Sequence, residues 1–213
     1  MKWNLVLGLM VSLSGMTEAS AKDSGRKTEY RVSAHMTRKV DVSPTLLRDS
    51  QKAATAIFTR IRVQLAWTDE CSRACKNLTP STGASAIPDI AVEIVAHAPD
   101  SFKEESLAMA LPYADSGVRV VIFYDRVAPY LRNHHAPAET ILGYVLAHEI
   151  AHVLQGVARH SDSGVMRARW TDLDYQWMSK GALRFATEDV QLIRHHLLHT
   201  DSTTAPGPLT SKP

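Results

Sequence analysis

The chain has 213 residues, 45% of them hydrophobic and 22% charged, with a formal net charge of +2. That length suits one domain with a proper core. The small net charge supplies neither the basic footprint of a nucleic-acid binder nor a field that would select acidic substrates.

Residues 1–21, MKWNLVLGLMVSLSGMTEASA, join Lys2 to an apolar run from Trp3 to Leu13 and end in Ala19-Ser20-Ala21. A short apolar stretch closed by a small-x-small site is a signal peptide, with cleavage expected after Ala21. The run is short for a bilayer core of about 30 Å, so an anchor is the weaker reading. One Lys and one Glu leave with it, and the mature chain keeps its charge of +2. The expected product is exported, to the periplasm or outside the cell, with no later membrane span.

Tyr30, Val32 and Ala34 alternate with polar residues and predict a short strand. Ser43-Pro44 is a helix start, Ser as N-cap and Pro in the first turn, and the apolar spacing carries that helix to about Arg60. Ile61, Val63, Leu65 and Trp67 alternate as a second strand. A loop-like stretch from Thr68 to Pro88 holds the two cysteines, Cys71 and Cys75, which are expected to pair in an oxidising compartment. Metal binding by so small a C-x3-C unit, with no second cysteine pair, is the weaker alternative. Asp89 to Ala96 predicts a strand, Ser106 to Pro112 a short one, and Gly117 to Val127 a buried one rich in β-branched residues.

Pro137 opens a helix with Glu139 in its first turn and apolar residues at Ile141, Leu142, Val145, Leu146, Ile150, Val153 and Leu154. A loop from Trp170 to Gly181 is followed by a last helix from Thr187 to about Leu198. Residues 201–213 have the composition of a disordered tail. The layout predicts a single α/β or α+β domain over residues 22–200, one sheet with helices packed on it.

The chemistry concentrates in HEIAHVLQGVARHSDSGVM, His148 to Met166. His148 and His152 lie four apart on the helix, so both imidazoles leave one face and can reach one ion. Glu149, about a quarter-turn round, is placed to act as a general base beside them. A catalytic zinc needs a third protein ligand and an open position. Gly156 is a natural exit from the helix through a left-handed residue, after which the chain can fold back to present His160. Asp162 is an alternative oxygen ligand, and Glu188 a weaker one from the last helix. Met166 by itself could be an ordinary core filler. His134, His135, His195, His196 and His199 are read as exposed, unpaired histidines.

This segment resembles the zinc-binding segment of the metzincin metallopeptidases, closest to the matrixin type: H-E-x-x-H-x-x-G-x-x-H, often Ser, then a turn carrying a methionine. The resemblance implies that His148, His152 and His160 hold zinc, that Glu149 is the base, that Gly156 is the bend and that Met166 is the Met-turn. It also implies an α+β fold: a mixed twisted sheet packed on two long helices, then the Met-turn and a C-terminal helix. Ser106 to Pro112 would be the edge strand on which a peptide substrate lies extended. The departure is in spacing, because Gly156 is four residues after His152 and His160 four after Gly156, a link two residues longer than the family's. No cysteine precedes Cys71, so a cysteine-switch pro-region is not expected. The implied activity is an exported zinc endopeptidase acting on peptides or proteins; the alternative is a non-catalytic exported zinc-binding domain of peptidase-like fold. Oligomeric state is not legible.

Overall fold

The computed structural model describes residues 30–68, 89–100, 106–111, 118–133 and 136–202. The signal segment, Cys71, Cys75, His134, His135 and residues 203–213 lie outside them, and with them the expected disulfide and most of the expected tail.

The described elements are β1 (Tyr30–Arg38), α1 (Pro44–Thr59), β2 (Val63–Thr68), β3 (Asp89–Val95), β4 (Ala108–Leu111), β5 (Arg119–Phe123), α2 (Tyr124–Asn133), α3 (Ala138–Gln155), α4 (Asp172–Ser179) and α5 (Thr187–Ser202). The strands form one sheet in the order β2-β1-β3-β5-β4. β1, β2, β3 and β5 run parallel, and β4 pairs antiparallel with β5, Ala108 opposite Ile122 and Leu111 opposite Arg119. The fold is a mixed α/β sheet packed on helices, as the order of elements implied.

Alternation along the strands decides which face meets the helices. Val32, Ala34 and Met36 of β1, Val63 and Leu65 of β2, and Ile90, Val92 and Ile94 of β3 are buried in one core with α1 and α3. The intervening residues form a polar opposite face, where Lys39 pairs with Glu93 at 2.9 Å and His35 contacts both Asp89 and Thr68. A mostly parallel sheet usually reads as unbroken apolar runs because both faces are covered; among the described strands only β5, with Val120 to Phe123 all buried, does so.

α1 begins as expected, with the Ser43 side chain accepting from the Leu46 amide and Pro44 in its first turn. α3 is buried from Ile141 through Gln155. A helix apolar all round belongs in the middle of a domain, and α3 packs against α1, α2, α4, α5 and the β4–β5 edge.

Two helices depart from the sequence expectation. The strand expected to reach Val127 stops at Phe123, and Tyr124 starts α2. Its tyrosines and Val127, and Pro129 inside it, disguise a helix whose buried Val127 and half-buried Tyr124 and Leu131 are helically spaced. The loop expected from Trp170 to Gly181 contains α4. Thr171 caps it by accepting from the Asp174 amide while Asp174 accepts from the Thr171 amide, a T-x-x-D capping box that the sequence carries openly. The last helix also runs on to Ser202. No described helix is long and apolar enough to cross a membrane.

Candidate metal centre

α3 brings His148 and His152 to its cleft-facing side one turn apart, their rings 4.7 Å apart. Gly156 then ends the helix at φ 65°, ψ 16°, with its amide bonded to the Val153 carbonyl at 3.1 Å. A residue with a Cβ adopts that left-handed conformation only at a cost. The reversal carries the chain back past the helix, and the His160 ring arrives 5.2 Å from His148 and 4.9 Å from His152. One nitrogen from each of the three histidines lies within 4.8 Å of the others. His148 and His152 are buried, and His160 is exposed at the mouth.

The backbone around Met166 completes the arrangement. Gly164 has φ 80°, and a Cβ there would lie 2.3 Å from the Arg184 carbonyl oxygen, so the turn needs glycine for both its conformation and its space. Val165 donates its amide to that same Arg184 oxygen at 3.0 Å. The Val165 carbonyl in turn lies 2.8 Å from His148 Nδ1 and 3.3 Å from Trp170 Nε1. A carbonyl can only accept, so His148 carries its proton on Nδ1 and leaves the Nε2 lone pair toward the cluster. Met166 is fully buried.

His148 Nε2 and His152 Nε2 are 3.1 Å apart. Ligands about 2.0–2.1 Å from a tetrahedral zinc stand about 3.3 Å from each other, so the spacing matches. Burial, with the neighbouring His152, pushes the His148 pKa down to about 3; burial, with His160 beside it, pushes that of His152 down to about 4. Burial lowers His160 as well. All three imidazoles are therefore neutral near pH 7, the form that binds metal. Three neutral nitrogens with no fourth protein ligand in the group, among the described residues, fit one zinc ion with a position left open.

Glu149 sits beside this group, buried, and burial raises its pKa to about 8. It lines the cleft of about 760 Å³ that also takes in His148, His152 and His160, with Ala108 to Ala110 of β4 on one side and Arg169 and Trp170 on another. The antiparallel edge strand therefore bounds the same cleft as the histidines.

Asp162 is exposed and outside the group, and Glu188 pairs with Arg159 at 3.0 Å. His195 and His199 are exposed but not unpaired: their rings stack at 4.0 Å, and His199 Nδ1 bonds the His195 carbonyl at 2.7 Å. Of the residues after Met166, Arg167 is committed to Asp174 at 2.9 Å. Trp170 sets its ring edge-on to His148 at 5.7 Å. The sequence reading had no grounds for Tyr130 or Tyr175 in the cleft wall, since they arrive on the two helices it missed. The Thr171–Asp174 capping box was the available signal for Tyr175.

The sequence matches no protein-family profile and no curated protein. Solved structures similar to it include a zinc-dependent peptidase from Methanocorpusculum labreanum, 10% identical with a TM-score of 0.49, covering 75% of this chain and 99% of that one. Archaemetzincin from Methanopyrus kandleri is 11% identical, TM-score 0.46, over 81% of this chain and 98% of that one. Metalloproteinase-II from Bacteroides fragilis is 11% identical, TM-score 0.45, over 80% of this chain and 55% of that one. With so few residues shared, these likenesses give no residue a role, and nothing in them is particular to matrixins.

Proposed function

We propose that this protein is an exported zinc-dependent endopeptidase in which His148, His152 and His160 hold the metal and Glu149 is the general base. The observation that carries the reading is the convergence of three neutral imidazoles, one position short of a closed site, next to a buried carboxylate in a cleft walled by an edge strand. Structural zinc sites are closed by four protein ligands and favour cysteine; this group has neither feature, which supports catalysis over a purely binding domain.

Zinc in this position supplies Lewis acidity, polarising a peptide carbonyl and acidifying water. The chain's own residues do the rest. β4 offers its outer edge to an extended peptide, which adds as a further strand. Glu149 takes a proton from the attacking water and returns it to the leaving amine. Its burial, which raises its proton affinity in the metal-free protein, suits a group that must hold that proton between the two steps. A cation held by the three histidines would draw the same carboxyl back toward ionisation. The Val165 carbonyl fixes the His148 tautomer throughout.

The test is digestion of casein and a peptide library by the mature protein, with and without chelator, alongside Glu149→Gln. The expected result is chelator-sensitive internal cleavage, lost by about 10²–10⁴-fold in the variant while zinc stays bound at one per chain. A Glu149→Gln protein that cleaves as fast as the parent removes the proposed base.

A further inference from the structure

The two extra residues between His152 and His160 should make the third imidazole the loosest part of the site, yet the link is tied down from behind by one side chain. Asp189, in the first turn of α5, has no exposed surface. Its Oδ1 accepts from Ser161 Oγ at 2.6 Å and from Gln155 Nε2 at 3.3 Å, and lies 3.5 Å from Arg159 Nη1. Its Oδ2 accepts from the Ala186 amide at 3.2 Å. Gln155 is the last residue of α3, immediately before the Gly156 reversal. Arg159 and Ser161 flank His160 on either side. One carboxylate oxygen therefore holds both ends of the link, while the other caps its own helix.

Resting on the reading of the three histidines as the metal site, we infer that Asp189 is a positioning residue for the third ligand. Fastening Gln155, Arg159 and Ser161 to α5 takes up the longer link and presents the His160 ring to the α3 pair. A capping role alone needs only Oδ2 and the Ala186 amide. It gives no reason for the Ser161 hydroxyl and the Gln155 amide both to bond Oδ1, with the Arg159 guanidinium beside them. The link contributes its own local bond, the Ser161 amide to the Met166 carbonyl at 2.9 Å. That bond closes the turn after His160 and leaves the approach to it, Val157 to Arg159, tied to α5 through Asp189 and the exposed Arg159–Glu188 pair at 3.0 Å.

Residues that orient metal ligands from behind typically change affinity by about 10–100-fold when removed. The experiment measures zinc affinity by chelator competition, and the visible spectrum of the cobalt-substituted protein, for the parent, Asp189→Asn and the double variant Ser161→Ala with Arg159→Gln. The melting temperature of each metal-free protein is recorded in parallel. The double variant spares the α5 cap, so it tests the inference even where Asp189→Asn fails to fold. The expected result is a loss of zinc affinity of about 10–100-fold and an altered cobalt spectrum in the double variant, with its metal-free melting temperature close to the parent's. Parent-like affinity and spectrum in that variant overturn the positioning role alone. A parent that binds no zinc overturns the metal site with it. A double variant whose affinity falls only in step with its metal-free stability reduces Asp189 to a structural residue.

Discussion

α3 and the link that follows it bring imidazoles to one cluster by opposite means. Two histidines stand on α3, whose residues from Ile141 to Gln155 are all buried, so helix geometry and the core set their direction together. The third stands on an exposed segment outside regular secondary structure, from Gly156 to His160. What holds it is a left-handed glycine and a few polar contacts to α5, most of them to the Asp189 carboxylate and one from Arg159 to Glu188. Packing over a whole helix is redundant, and loss of one contact lowers stability without redirecting a ring. Polar fastening of a short link is not redundant, so each bond bears on where the ring points.

The sharpest way to break the comparison is to remove ligands from the link side. His160→Ala is expected to abolish stoichiometric zinc binding, whereas Asp162→Ala, exposed and outside the cluster, leaves zinc content at the parent level. Metal analysis of the two purified variants decides it, and the reverse ranking would move the third ligand to the aspartate.

On the helix side the expected loss is stability. Leu146 is fully buried in the core, and Leu146→Ala should cost about 2–5 kcal/mol in the metal-free protein, read by urea denaturation. Zinc stoichiometry in the fraction that remains folded should be unchanged. A variant that stays stable but loses zinc would show that helix packing orients the rings as delicately as the link does.

Acidity sharpens the contrast further. The folded-state pKa values of His148 and His152 lie well below the ordinary 6.5, at about 3 and about 4. Below pH 6.5 the unfolded chain binds protons that the folded histidines refuse, so stability falls as pH drops from there. Glu149 works in the other direction. Its folded pKa of about 8, against 4.5, means the folded state holds a proton that the unfolded state has released between those values, so stability falls as pH rises through that window. Two histidines outweigh one glutamate below 6.5, and only the glutamate acts above it. The metal-free protein is thus expected to melt at its highest temperature near pH 6.5. Thermal melts across pH 4.5–8 check this, and Glu149→Gln should flatten the alkaline side and steepen the acid side, where the glutamate otherwise opposes the histidines.

The smallest effect belongs to α4, which packs on α3 without contributing to the cluster. Thr171→Ala removes the side-chain cap and should cost about 1 kcal/mol by denaturant titration. Zinc affinity should be unaffected.

Local rules made a large share of this molecule legible. Alternation placed β1 and β2, Ser43-Pro44 placed the start of α1, and the spacing of His148, Glu149 and His152 put them on adjacent positions of one helix. α2 is not legible locally because Val127, the tyrosines and Pro129 argue against a helix that burial of Val127, with Leu131 packed beside it, then favours. α4 is legible in its Thr171–Asp174 capping box.

By itself, the sequence determined what depends on neighbours within a turn or two: the helical histidine pair, its glutamate and the glycine exit. Only the tertiary structure decided that His160, rather than Asp162, joins the pair, that β4 borders the cleft, and that Arg167 serves Asp174. The bonds that set the third imidazole join Ser161 and Gln155 to a residue 28 and 34 positions away. No periodicity or spacing encodes such contacts, because they form only when α5 has folded back against the end of α3.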